Sequence, residues 1–363
     1  MGTAAEATAG GAERLAGLDA LRGLAACVVA FGYHVKLFFA PGVFVPQWGG
    51  PLGVWMHQFG WTAVDLFFVL SGFVFAHVYL RGENRLRSGG GQAAFWVARL
   101  ARLYPLHLAM LLVTAWLFRA EPANTAPAFA AHAAMLQALY EPVSRTFVGP
   151  SWSLSVEVLC YAVFAAAAWG GTRIGTLTTW AALITGIGGI LAVGDVYQPS
   201  VAGYVARGLA GFFAGQLLWR YRSALQAMSA PLLIAAVGAG IAVSHAAGPR
   251  GAGAVLGLSL LAWPALILLT LRWRFMTAKP LVWLGDRSYA IYLLHMPMID
   301  IVAFGAGGLS GDPATMLAAQ FGLIAVTLGA ADLVYRRFEL PARRAIRGAW
   351  LRRSAAAIPA AAG

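Results

Sequence analysis

His34 is a single imidazole near the end of an almost wholly apolar run, LDALRGLAACVVAFGYHVK at residues 18–36. An ionisable side chain buried in hydrocarbon is costly, and its presence there marks a functional site by default. Imidazole titrates near neutral pH, so His34 suits a general base that takes the proton from an attacking hydroxyl. Asp65 and Glu157 stand in similar apolar runs, and either carboxylate suits the task of orienting such a ring and stabilising its charged form. A nucleophilic imidazole that forms a covalent intermediate uses the same residue and is not distinguished by sequence. Two other readings compete. His34 can serve as hydrogen-bonding glue between helices, or His34, Asp65, Glu157 and His295 can line a proton or substrate path in a transporter or flippase. An inverted repeat would favour the transporter, and the two halves of the chain show no convincing match.

Helical spacing groups more polar residues. Ser153, Glu157 and Tyr161 recur at i, i+4 and i+8, and Ser288, Tyr292 and His295 at i, i+4 and i+7, each set on one face. Asp65 and Ser71 are six apart on different faces, and Gly72 suits a close backbone approach. Trp152 and Trp61 fit an interfacial belt, with sugar stacking as the alternative. Arg99 and Arg102, followed by Tyr104, Pro105 and His107, form a basic group near His77 and Arg81. Guanidinium suits phosphate, although ordinary topology accounts for such arginines too. Arg207 lies within an apolar run and needs a partner that the sequence does not name. His57, His132 and His245 are expected on solvated surface.

The elements that must position these groups are membrane helices. The 363 residues are 60% hydrophobic and 11% charged, with a mean hydropathy of +0.70, far from a soluble domain. Ten spans of sufficient length fall near 20–40, 59–80, 103–119, 152–170, 175–194, 201–219, 229–246, 252–271, 283–305 and 314–335. The fifth, seventh and eighth are bland Ala/Leu/Gly scaffold.

A cytoplasmic N-terminus puts Arg81, Arg85, Arg87, Arg99, Arg102, Arg173, Arg220, Arg222, Arg272, Arg274, Lys279 and the arginines from Arg336 onward inside. Only Lys36, Arg119, Arg145 and Arg250 then lie outside, as the positive-inside rule requires. The net charge of +12 therefore reflects topology and not nucleic acid. The expected plan is an all-α polytopic membrane protein: a cytoplasmic tail at 1–17, a membrane domain at 18–344 and a basic, Ala-rich cytoplasmic tail at 345–363. The long outer connection near 120–150 is expected to hold a short interfacial helix around 127–139. Cys27 and Cys160 lie in apolar runs, which argues against a disulfide framework or a metal site. Counting 1.5 Å per residue puts His34 about 18 Å beyond Arg22. The same count brings Asp65, Glu157 and His295 to a similar level, which predicts one shared cavity.

The chain resembles the integral-membrane acyltransferase 3 family, bacterial enzymes that O-acylate sugars and related acceptors. The resemblance runs from Leu18 to about Arg344 and rests on ordered motifs. These are LDALRG with His34, VDLFFVLSGF at 64–73, RLARLYPLH at 99–107, PSWSLSVE at 150–157, LGDRSYAIYLLHMP at 284–297 and FELPARR at 338–344. It implies transfer of an acyl group, usually acetyl, from cytoplasmic acyl-CoA to a carbohydrate or glycolipid hydroxyl at the bacterial inner membrane. It makes His34 and Glu157 the candidate catalytic residues. The candidate substrate-binding residues are Arg22, Asp65, Ser71, Trp152, Ser153, Tyr161, Tyr292 and His295, and Arg99, Arg102, His77 and Arg81 are placed on the CoA side.

Three departures matter. Ala98 stands where the basic motif often has a second arginine, and Val158 where many members have a second acid. Eleven residues, where ten are usual, separate Arg22 from His34. Twelve steps of a regular helix put the two side chains about 120° apart. A π-bulge near Ala30–Gly32 would absorb the extra residue.

Overall fold

The computed structural model describes residues 14–81 and 85–356, and every regular element among them is helical. Residues 1–13 and 357–363, parts of the two expected tails, lie outside the described residues. Ten helical segments are long and apolar enough to cross a membrane. They are α1 (Ala16–Phe38), α2 (Pro46–Tyr79), α3 (Gly89–Leu117), α4 (Gly149–Trp169), α5 (Thr172–Val193), α6 (Val201–Arg220), α7 (Ala230–Ala247), α8 (Ala252–Thr270), α9 (Lys279–Ala306) and α10 (Pro313–Ser354). All ten expected spans are present.

Three boundaries differ from expectation, the first being that of α2, which opens with the short helices Pro46–Gly49 and Gly50–Phe59 before the expected start at 59. α3 starts at Gly89, well before residue 103, because the Ser88 side chain caps it by accepting from the Gly91 amide. Arg99 and Arg102 therefore lie within a helix, which runs on through Pro105. α10 continues past residue 335 through a π-turn at Tyr335–Glu339 into the helix Leu340–Ala356.

Backbone contact between helices sets the centre of the bundle. A Cβ on Gly72 of α2 would lie 1.7 Å from the carbonyl oxygen of Phe212 on α6. One on Gly285 of α9 would lie 2.2 Å from that of Asp19 on α1. Small residues at such crossings are how membrane helices gain packing, since lipid is as apolar as their side chains. The close approach expected at Gly72 is thus present, and the α1–α9 pairing brings the segment carrying His34 against the one carrying His295. Beyond His34, Phe38 and Ala40 exchange backbone hydrogen bonds with Leu309, which ties the ends of α1 and α9 together. α5 and α7 turn Leu177, Ile184, Leu191, Leu232 and Ile234 outward, as scaffold helices facing lipid would.

At the end opposite the arginine-rich connections, residues 118–151 fold into a cap containing the short helix Ala126–Ala133. His132 was expected on solvated surface and is instead fully buried in this cap. Its Nε2 lies 3.1 Å from the Val143 carbonyl and 3.0 Å from Thr146 Oγ1, and its own carbonyl accepts from His107. The chain doubles back after the helix and covers the ring. His245 is exposed against the edge of Phe59, and His57 is half-buried beside Phe44.

Burial pushes the His132 imidazole down to about 4, whereas the unfolded chain protonates it near the ordinary value of about 6.5. Its contribution to stability is therefore full above that value and is lost as pH falls towards 4. His132→Gln, which does not titrate, is expected to unfold at lower temperature than the parent at pH 7.5. Its deficit should narrow on acidification, by at most about 1.4 kcal/mol per pH unit. A deficit that does not change with pH would contradict a buried neutral ring.

Candidate active site

The first helix is regular only to Cys27. Val28–Tyr33 forms a π-turn, and a 3₁₀ segment begins at His34. The irregularity expected from the extra residue is present and covers Ala30–Gly32. It lets Arg22 and His34 both turn towards the bundle interior, each lining a cavity.

His34 Nδ1 lies 3.0 Å from His295 Nε2, with the two rings stacked at 5.1 Å. His295 Nδ1 lies 3.3 Å from the Ile291 carbonyl one turn back in α9. A carbonyl only accepts, so this Nδ1 carries the proton and His295 Nε2 offers a lone pair. The His34 Nδ1–H then donates to that lone pair, and the His34 Nε2 is left unprotonated. Proton positions follow here from the acceptor that starts the chain. The outcome is a neutral imidazole whose basic nitrogen has no hydrogen-bond partner among the described residues.

His34 lines a cavity of about 260 Å³ together with Tyr33, Trp61, Arg145, Trp152, Tyr197, Arg207 and Tyr292. Neither expected carboxylate supports the ring. Asp65 is fully buried and paired with Arg207, which donates from Nε at 2.9 Å and from Nη2 at 3.0 Å. This is the partner that Arg207 required. Trp61 and Trp152 lie against the same guanidinium, 4.6 and 4.9 Å from ring centroid to Cζ, and Trp152 also stacks on Tyr204 at 4.2 Å. Both tryptophans are buried and so form no interfacial belt. Their ring faces are taken up by a cation that needed desolvated partners.

Glu157 belongs to a second cavity, of about 70 Å³, lined also by Arg22, Ser71, Arg99, Arg102, Tyr161, Ser153, Ser288 and Tyr289. Its Oε1 accepts from Ser71 Oγ at 2.7 Å and from the Tyr161 hydroxyl at 2.5 Å. Three guanidiniums face the one carboxylate of this lining, with two further carboxylates close outside it, Asp19 bonded to Arg22 at 3.0 Å and Glu339 acting on Arg102. The single shared cavity expected from the residue count is therefore two. The reason is geometric: Glu157 lies five residues, about 8 Å along α4, beyond Trp152, which lines the His34 cavity. A uniform rise ignores both helix tilt and the π/3₁₀ stretch that displaces His34. His77 and Arg81 line neither cavity. His77 Nδ1 faces the Trp219 indole N–H at 3.4 Å, and Arg81 is exposed.

A family model described as an acyltransferase domain matches residues 15–336. The chain belongs to this acyltransferase family. The acyltransferase is also 34% identical over 179 residues to "Protein 2 in picA locus" of Rhizobium radiobacter, a match covering 44% of the chain and 83% of that protein. It is 32% identical over 161 residues to "Acyltransferase MdmB" of Streptomyces mycarofaciens, covering 42% of the chain and 38% of the relative. No solved structure matches it.

Four residues of the acyltransferase's cavities escaped the sequence reading. Tyr289, which donates to the Leu103 carbonyl at 2.6 Å, sits three residues before Tyr292 and was visible on the same stripe. Tyr33 and Tyr197, joined hydroxyl to hydroxyl at 2.6 Å, and Arg145, whose Nε donates to Tyr204 at 3.2 Å, come from loops and helix ends with no such pattern. The Asp65–Arg207 pair holds α2 to α6 beside the His34 cavity. Removing one partner strands a buried charge, so Asp65→Leu and Arg207→Met are each expected to destabilise by about 3–5 kcal/mol. The double variant should be more stable than either single one. Additive losses in thermal or detergent unfolding would show that the pair is not coupled.

Proposed function

We propose that this acyltransferase moves an acyl group, acetyl in the first instance, from acyl-CoA to a hydroxyl of a carbohydrate or glycosylated acceptor. The observation that carries the reading is the uncommitted His34 Nε2 in a cavity next to one crowded with arginines. In this reading the arginine-rich end is cytoplasmic, in keeping with the positive-inside rule, and the membrane is the bacterial inner membrane. Arg99, Arg102 and Arg22 attract the anionic donor from that side. The arginine cavity has room for only a few waters, so α3 and α9 must yield slightly when the pantetheine arm enters. The acceptor approaches through the wider His34 cavity.

The reaction balances without further reagents. His34 Nε2 takes the proton of the acceptor hydroxyl as its oxygen bonds to the thioester carbonyl carbon. The tetrahedral centre collapses, the C–S bond breaks, and the imidazolium returns its proton to the departing thiolate, giving an ester and free CoA. His295 fixes the tautomer and ring orientation of His34, a task that a carboxylate performs in hydrolase triads. It adds no negative charge to the His34 site in doing so.

Purified protein in nanodiscs, given labelled acetyl-CoA and a panel of glycans, tests this. His34→Ala is expected to lower transfer by about 10²–10⁴-fold with folding intact. His295→Ala should act mainly on kcat and should alter the pH–rate profile, because His34 can then take either tautomer. Transfer that survives in folded His34→Ala would refute the assignment, and glycan movement without CoA release would point to a transporter.

A further inference from the structure

The arginine cavity and the His34 cavity have two lining residues in common, Val64 and Tyr292. Tyr292 is buried and held from several sides. Its hydroxyl donates to the Pro150 carbonyl at 2.8 Å and lies 2.9 Å from Ser153 Oγ. Pro150 belongs to the lining of the His34 cavity and Ser153 to that of the arginine cavity, so the phenol bridges the wall between them. The ring meets Phe67 of α2 edge-on at 5.7 Å and leans on His295 at 5.9 Å, one contact away from the base. Val64 is β-branched and stiff at χ1, and its neighbour Asp65 is anchored to Arg207. The wall therefore has one fixed side and one side closed by a ring that two polar contacts hold in place.

We propose that Tyr292 is the residue that partitions the acyl group between acceptor and water. This rests on the donor and acceptor assignments made above. A thioester in the arginine cavity cannot meet His34 until the Tyr292 ring turns aside, and water in the His34 cavity cannot meet the thioester before then. The two competing reactions differ only in the oxygen that attacks. An acceptor hydroxyl gives ester and CoA, and water gives free acid and CoA. Turning the ring also disturbs its contact with His295, so opening the wall and arranging the histidine pair happen together. A tyrosine placed only for packing would lower stability when removed and leave this ratio unchanged.

The full chain in nanodiscs, with labelled acetyl-CoA and an acceptor, gives the share of acyl lost to water. Tyr292→Ala is expected to raise that share at least tenfold. Tyr292→Phe keeps the ring and loses its polar contacts, and should fall between the two. Should the alanine variant not fold, Tyr292→Leu serves in its place. A folded alanine or leucine variant whose hydrolysis share stays within twofold of the parent would overturn the proposal.

A second arm needs no activity. In a chain lacking Cys27 and Cys160, Leu154→Cys places a thiol in the arginine cavity. A water-soluble maleimide added to sealed vesicles, from the face opposite the arginine-rich end, should label it at least tenfold faster once Tyr292 is Ala. Equal labelling rates mean that the ring is no barrier. Faster labelling without transfer in the parent would keep the barrier and reject the reaction.

Discussion

A neutral imidazole has one donor and one acceptor, and the destination of its N–H decides whether its lone pair is available. Here the Ile291 carbonyl sets that destination through His295, and His34 is left with its Nε2 unprotonated. Three features of the bundle bring these two rings together. The π-turn at Val28–Tyr33 carries His34 inward, and the contact at Gly285 lays α1 directly on α9. The backbone link from Phe38 and Ala40 to Leu309 closes the far end of the pair. A change that separates α1 from α9 would part the two rings and remove the acceptor that sets the His34 tautomer.

Charge is distributed so that each cavity has its own character. The lining of the arginine cavity holds three guanidiniums to one carboxylate and suits an anionic group. In the His34 cavity, Arg207 is neutralised by Asp65 and shielded by two indoles, so the histidine pair is spared its full field. A carboxylate in the place of His295 would raise the basicity of His34 and bring a negative charge into this cavity. The use of a second histidine in that position avoids this.

The fold was largely legible in the sequence because membrane helices announce themselves by length and hydropathy. The ten spans and the close approach at Gly72 followed from pattern alone, and the irregularity before His34 followed from one residue more than the resembled family's usual spacing. What pattern could not supply was pairing between distant segments. Asp65 and Arg207 are 142 positions apart and show nothing that links them. The depth count put Glu157 level with His34 because it assumed straight helices of uniform rise, and α1 is neither uniform nor regular at its end. The tryptophans were misplaced for a related reason. An aromatic near a span's end fits a lipid interface or a buried cation equally well, and only the partner decides.

The central claim is that the thioester and His34 meet across the wall between the two cavities. Photocrosslinking with an acyl-CoA analogue bearing a diazirine at the end of its acyl chain tests it most directly. Peptide mapping should find the label on Val64, Tyr292 or His34, with CoA in solution competing it away. A label confined to lipid-facing positions, or to the arginine-rich end with none reaching α9 near Tyr292, would contradict the account.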